Sequence, residues 1–351
     1  MDWIYLIYLS SGLFLGWSLG ANDAANIFGT AVGTKMVKFR TAAIISSVFV
    51  ILGAVYTGSG ASQTLGRLGS VNAIAGAFMV AFAAAITIYW MVLLELPVST
   101  SQAIVGAIVG WNIYSHKPTE LSILSQIAGT WIICPILSGI IAVILYLLLK
   151  YKLCKSQTHL LKRDTYTRIG LIIVGAFGAY ALGANNIANV MGVFVPSSPF
   201  HTLELPYGMS LNSTQVLFLI GGIAISSGII SYSKKVMYTV GNGLMHMSPF
   251  VAWIAVFSQA LVLFLFASQG LKDFLTSHNL PSLPLVPVSS SQAIIGAVIG
   301  IGLLKGGRDI HWGLLGKIAL GWVATPLIAA VVCFISLFFL ANVFNMTVYL
   351  P

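Results

Sequence analysis

PVSTSQAIVGAIVG, residues 97–110, returns as PVSSSQAIIGAVIG at residues 287–300, with ten of fourteen positions identical and the other four changed only by a methyl group or a branch point. The two copies lie 190 residues apart, and they are not alone. GANDAANIFG at 20–29 matches GANNIANVMG at 183–192, and WIICP at 131–135 matches WVATP at 322–326, in the same order as the first pair. Three paired motifs in one order indicate a duplicated architecture: a first repeat over 1–150, a basic linker over 151–166 and a second repeat over 167–351.

Composition says what the repeated unit is made of. Of 351 residues, 58% are hydrophobic and 7% are charged, and the mean hydropathy of +0.95 is far above that of a water-soluble domain. A membrane-spanning helix needs roughly 20 apolar residues. Such runs occupy about 3–33, 41–60, 72–96, 121–149, 167–195, 214–233, 247–271 and 310–341, and the two PVS stretches add shorter ones. Residues 1–30 lack a basic start and run into a polar motif, so they do not read as a cleavable signal. The cysteines Cys134, Cys154 and Cys333 have no ligand spacing and suggest packing only.

The net charge of +9 would suit nucleic acid if it were clustered on one soluble face, but it is spread over four loops. Fourteen of the seventeen cations lie near 35–40, 150–168, 234–235 and 305–317 and can share one side of a membrane. The positive-inside rule makes that side cytoplasmic. Parity then has each PVS stretch pair with the helix before it as a down-and-back hairpin, so each half crosses an odd number of times and the halves lie inverted. The expected fold is an all-α, multi-pass cell-membrane protein of two inverted-topology repeats, with broken helices, re-entrant hairpins and about 10–12 membrane segments. Both termini are expected on the extracytoplasmic side.

Polar breaks in apolar segments mark where such repeats build a midplane site, and four are expected, at the two PVS and the two GAN motifs. In the PVS hairpins proline stops the incoming helix and the Ser/Thr run can cap a new one near Ser101 or Ser291. The new N-terminus directs free N–H groups at the break, which suits an oxyanion without Lys or Arg. Hydroxyls of Ser99, Thr100, Ser101, Ser289, Ser290 and Ser291 add donors, and Asn26 and Asn189 are grouped with them as anion-binding residues. In the GAN motifs Asn22, Asp23, Asn185 and Asn186, together with unwound carbonyls and the amides of Gln102 and Gln292, offer the hard oxygens that alkali cations prefer. Asp23 carries the sole formal charge among them, and an acid so deep in an apolar run is a functional candidate. Glu95 stands two residues before Pro97, with Leu285 at the corresponding place, and can either cap locally or line the cavity. No histidine pair has metal spacing. Ser59 and Ser62 of TGSGAS lack an intramembrane base, which argues against a hydrolase.

GANDAANIFGTAVG with its second copy, the two PVS hairpins and the W-x-x-x-P of the last helix in each half resemble the PiT family of inorganic phosphate transporters, over essentially the whole chain. The resemblance implies a symporter rather than an enzyme, with no prosthetic group: inorganic phosphate co-transported with sodium ions or protons by a transport domain moving, elevator-like, against a scaffold, in a homodimer embedded in membrane lipid and without nucleic acid. The family's second signature often repeats GAND, whereas residue 186 is Asn, and the hairpin position frequently His in relatives is Gln102 and Gln292. Loss of a titratable His favours sodium over protons. The GANN form is also similar to sulfate carriers of the same superfamily, so a sulfate or other tetrahedral oxyanion transporter is the alternative, with an anion channel behind it.

Overall fold

The computed structural model describes residues 3–69, 71–93, 98–155, 160–204, 206, 210–240, 247–308 and 310–350. The first half runs α1 (Trp3–Gly33), α2 (Phe39–Thr57), α3 (Ser59–Gly69), α4 (Ile74–Leu93), α5 (Thr100–Tyr114) and α6 (Leu121–Lys155). The second runs α7 (Leu160–Met191), α8 (Ser213–Ser231), α9 (Ser233–Val240), α10 (Pro249–Leu265), α11 (Gln269–Ser277), α12 (Ser290–Leu304) and α13 (Trp312–Asn342). Between α7 and α8 lie a 3-10 turn, Gly192–Phe194, and a two-stranded antiparallel ladder of β1 (Leu203–Glu204) and β2 (Ser210–Leu211). The all-helical class follows from long apolar runs, because hydrocarbon offers no partner for an unpaired backbone.

Among the described helices six are long and apolar enough to cross a membrane, and seven if α10 and α11, bent by 69°, count as one span. The ten to twelve segments expected from sequence resolve into these, the 31-residue α1 with its polar motif, and the 15-residue α5 and α12. At 1.5 Å per residue a 15-residue helix is about 22 Å long, short of a bilayer core of about 30 Å. The short helices therefore cannot span it on their own.

Packing separates centre from rim. Within α7 72% of the apolar window is buried, against 22% in α6 and 28% in α13. The open faces of α6 and α13 carry Ile132, Ile136, Ile140, Leu320, Leu327 and Val331, a surface suited to lipid rather than water.

The two halves are interlocked by exchange. α1 packs on α8 and α2 on α7, while α5 packs on α13 and α6 on α12. Glycines set the closeness of these seams. A Cβ on Gly106 of α5 would collide with the backbone of Pro326 in α13, and one on Gly296 of α12 with that of Pro135 in α6. The W-x-x-x-P motif thus gives each tip helix a seat on the last helix of the opposite half.

Two of the four expected breaks are present and two are not. Val98 and Ser99 are non-helical, as are residues 280–289, ahead of α5 and α12. The GAN motifs, by contrast, lie inside continuous helix, at 20–29 in α1 and 183–191 in α7. The expected unwound carbonyls are absent there. The motif glycines serve close packing instead: a Cβ at Gly20 would meet the Ile225 carbonyl of α8, and one at Gly183 the Val50 carbonyl of α2. With the i→i−4 ladder intact, the Asn and Asp side chains alone present oxygens.

The candidate oxyanion and cation site

Each tip is built from its caps. Ser99 is the N-cap of α5, its hydroxyl accepting from the Gln102 N–H at 3.3 Å, and Ser289 caps α12 by accepting from the Gln292 N–H at 3.2 Å. As acceptors at the cap, both keep their own O–H to donate. The helices start at Thr100 and Ser290, one residue before the sequence-based expectation.

The two tips touch. Ser101 Oγ donates to the Val288 carbonyl at 3.0 Å, and Ser291 Oγ donates to the Val98 carbonyl at 3.4 Å. The same reciprocity links tips to GAN motifs across the halves. Asn189 of the second half donates to Ser101 Oγ at 2.8 Å. Asn26 of the first half donates to Ser291 Oγ at 3.3 Å and to Ser290 Oγ at 3.4 Å. All four motifs thus converge on one locus.

Symmetry fails at one position. Ser290 Oγ donates to Asp23 Oδ2 at 2.7 Å, and Asn22 Nδ2 donates to Asp23 Oδ1 at 3.1 Å. The corresponding Asn186 instead accepts from Asn189 Nδ2 at 2.9 Å. One half of the site is therefore acidic and the other neutral. Three of the six tip hydroxyl protons, on Ser101, Ser290 and Ser291, are spent inside the protein.

What is left unpaired is informative. The Oε1 atoms of Gln102 and Gln292, the Oδ1 of Asn189 and the Nδ2 of Asn186 are buried with no hydrogen-bond partner. Each such atom costs about 1–3 kcal/mol unless a ligand meets it. Three of the four are amide oxygens, which accept cations or donors and repel an anion's oxygens. Asn185, expected as an ion ligand, is otherwise employed. Its Oδ1 accepts from the Val288 N–H at 2.8 Å and its Nδ2 donates to the carbonyls of Val286 and Leu263, so it braces the second tip's backbone.

Burial is uneven. Asp23, the tip serines, Thr100, both glutamines and Asn185, Asn186 and Asn189 are each at most 4% exposed. Asn22 and Asn26 are half-buried, so what access exists comes on the α1 side.

Sequence reasoning missed the Val98 and Val288 carbonyls, which join the tips, because main-chain acceptors leave no residue-type signal. It also missed Thr64, whose hydroxyl donates to the Leu285 carbonyl ahead of the second tip at 2.5 Å. Cys134 does more than pack: its thiol reaches the Ser289 carbonyl at 3.8 Å. Glu95 and Pro97 lie outside the described residues. Ser59 and Ser62, weighed above as nucleophiles, line a cavity of about 450 Å³ with both polar and apolar walls, among them Gln63, Asn212, Gln215, Val55 and Phe218.

Three comparisons bear on this arrangement. The model of the PHO4 phosphate transporter family matches residues 19–167, 155–333 and 282–349. The chain is 30% identical over 322 residues to a protein assigned as a phosphate permease in Methanocaldococcus jannaschii, covering 92% of this chain and 93% of that one. It is 25% identical to a similarly assigned protein of Thermococcus kodakarensis, over 95% of this chain and 96% of that one. Its fold is that of a solved sodium-dependent phosphate transporter, with a TM-score of 0.74 at 22% identity over 96% of this chain and 100% of that chain. The family and the structural neighbour are transporters, not enzymes. The duplicated GAN and PVS motifs, their convergence and the match of the family model over nearly the whole chain lead to one conclusion: this protein is a multi-pass membrane protein of the PHO4 (PiT) phosphate transporter family.

Proposed function

We propose that the chain imports inorganic phosphate in symport with sodium ions by alternating access, using a single central site shared by two inverted repeats, 1–150 and 167–351, joined by the basic linker 151–166. The observation that carries this reading is the meeting of tips and GAN motifs across the halves, with Asp23 at the contact and no Lys or Arg paired with it among the described residues. In the bound state phosphate takes the tip N–H groups and the hydroxyls of Ser99, Thr100, Ser101, Ser289, Ser290 and Ser291, with the amides of Asn26 and Asn189 flanking it. Asp23, Asn22, Asn186, Gln102 and Gln292 supply oxygens to sodium, and Asn185 holds the second tip in register.

Electrostatics requires the cations. Bringing a doubly charged anion into a cell at about −100 mV costs about 4.6 kcal/mol, at roughly 2.3 kcal/mol per charge. A dianion beside ionised Asp23 in a dry site needs positive partners, and sodium ions supply charge and driving force together. The orphaned amide oxygens of Gln102, Gln292 and Asn189 support cation ligation. The near-complete burial of the tip serines, both glutamines and Asp23 supports an occluded site rather than an open pore, which is what alternating access demands and a channel does not.

The decisive experiment is radiolabelled phosphate uptake into proteoliposomes with and without an inward sodium gradient, competed by sulfate and arsenate. Sodium-stimulated uptake inhibited by arsenate and indifferent to sulfate is the expected result. Inhibition by sulfate at equal concentration, or uptake unaffected by sodium, overturns the substrate or the coupling respectively.

A further inference from the structure

Away from the transport site, at the far end of the helix that carries the second tip, two lysines converge on one ring. Lys150 near the end of α6 and Lys305 at the C-cap of α12 place their Nζ atoms 5.7 and 5.4 Å from the centroid of Tyr146. The ring also packs against Phe250 of α10, centroid to centroid 6.2 Å. Neither lysine is paired with a carboxylate among the described residues. The loop after Lys305 adds Arg308, and its acid, Asp309, lies outside the described residues. Two cations drawn together with no paired carboxylate among the described residues repel one another, and a ring face offsets only part of that.

The residues that precede the two lysines on their helices are exposed and apolar: Leu147 on α6 is 51% exposed and Leu303 and Leu304 on α12 are 55% and 42% exposed. A cationic rim next to exposed leucines, at the junction of two membrane helices, is complementary to a molecule with an anionic head and hydrocarbon tails. Soluble anions have no use for the leucines, and zwitterionic lipids bring their own cation.

We propose that the Tyr146–Lys150–Lys305 cluster is a binding site for an anionic phospholipid, whose phosphate lies between the two ammonium groups and whose acyl chains lie along Leu147, Leu303 and Leu304. By bridging α6 and α12 at the end opposite the serine tip, the lipid stiffens the seam that Gly296 makes with Pro135. This assignment does not rest on the transport reading.

The test uses the full chain, purified in neutral detergent and exposed to mixed micelles of phosphatidylcholine with a rising fraction of phosphatidylglycerol, with co-purifying lipid counted by mass spectrometry. With each interfacial cation worth about 1 kcal/mol, the pair Lys150→Gln with Lys305→Gln weakens phosphatidylglycerol retention about 25-fold. Tyr146→Leu, which keeps the apolar contact with Phe250, weakens it by a smaller factor. The control pair Lys35→Gln with Lys38→Gln removes the same charge from another basic loop and leaves retention unchanged. Equal losses in test and control pairs would mean diffuse surface charge and overturn the site, as would retention unchanged in both the double variant and Tyr146→Leu. Displacement of the lipid by inorganic phosphate at matched concentration overturns the lipid in favour of a soluble anion.

Discussion

At the level of single residues, the site is a symmetric frame with one asymmetric charge. Asn26 and Asn189 do the same work in mirrored surroundings, each donating to a serine of the opposite tip, but Asp23 has no counterpart because Asn186 stands in its place. Asp23→Asn removes the negative charge while keeping the shape, so sodium-dependent uptake should be lost in reconstituted vesicles. Uptake that is still driven by a sodium gradient would refute the role given to the carboxylate. The tip serines separate into two kinds. Ser290→Ala takes a charge-assisted donor from buried Asp23, an interaction worth about 1.5–3 kcal/mol, and should lower stability by that order while raising the half-saturation concentration for phosphate. Ser99→Ala removes a helix cap and should lower stability by about 1 kcal/mol in addition to weakening binding. Identical stability and uptake profiles for the two variants would contradict that division.

Among elements, the decisive feature is how near the tip helices come to their partners. α5 and α12 are too short to cross the membrane and pack most extensively on α13 and α6, with α4 and α10 as their next neighbours. Gly296→Ala forces a methyl group into the Pro135 backbone, and overpacking of this kind costs about 1–3 kcal/mol. Gly129 on α6 has nothing within 4 Å of an added Cβ, so Gly129→Ala should be neutral or stabilising by a few tenths of a kcal/mol to about 1 kcal/mol through helix propensity. Thermal unfolding in detergent distinguishes these outcomes, and equal melting temperatures would mean that the seam yields. Three elements escaped the sequence reading: α3, α9 and α11. They are 11, 8 and 9 residues long, too short for a membrane-length window to register and too polar to stand out as apolar runs.

On the scale of the whole molecule, exchange between halves ties the end of the chain to its first half. The last residues are part of this: Val348 accepts from Trp111 Nε1 at 3.0 Å, and Leu350 exchanges two hydrogen bonds with Asn72, each 2.9 Å. The distribution of Lys and Arg predicts the orientation. With a Cys154→Ser background, in which the described cysteines Cys134 and Cys333 are buried, a membrane-impermeant maleimide should label Lys38→Cys and Lys305→Cys only from the cytoplasmic side, and His201→Cys and Asn279→Cys only from outside. Labelling of both pairs from one side would dismantle the inverted arrangement.

The amino-acid sequence by itself determined the membrane class, the positions of the long helices and the existence of three like motifs in each half, because apolar length, capping residues and repetition are local properties written in consecutive residues. It located the helix starts at both tips to within one residue. Only the tertiary structure decided that each tip faces the other half's GAN motif, that α1 and α7 run unbroken through those motifs, and that Asn185 braces backbone. The physical reason is that small-residue seams are degenerate in sequence: a glycine every few residues permits close approach to any backbone, and which backbone arrives is settled by the shape of the assembled bundle rather than by the segment that carries the glycine.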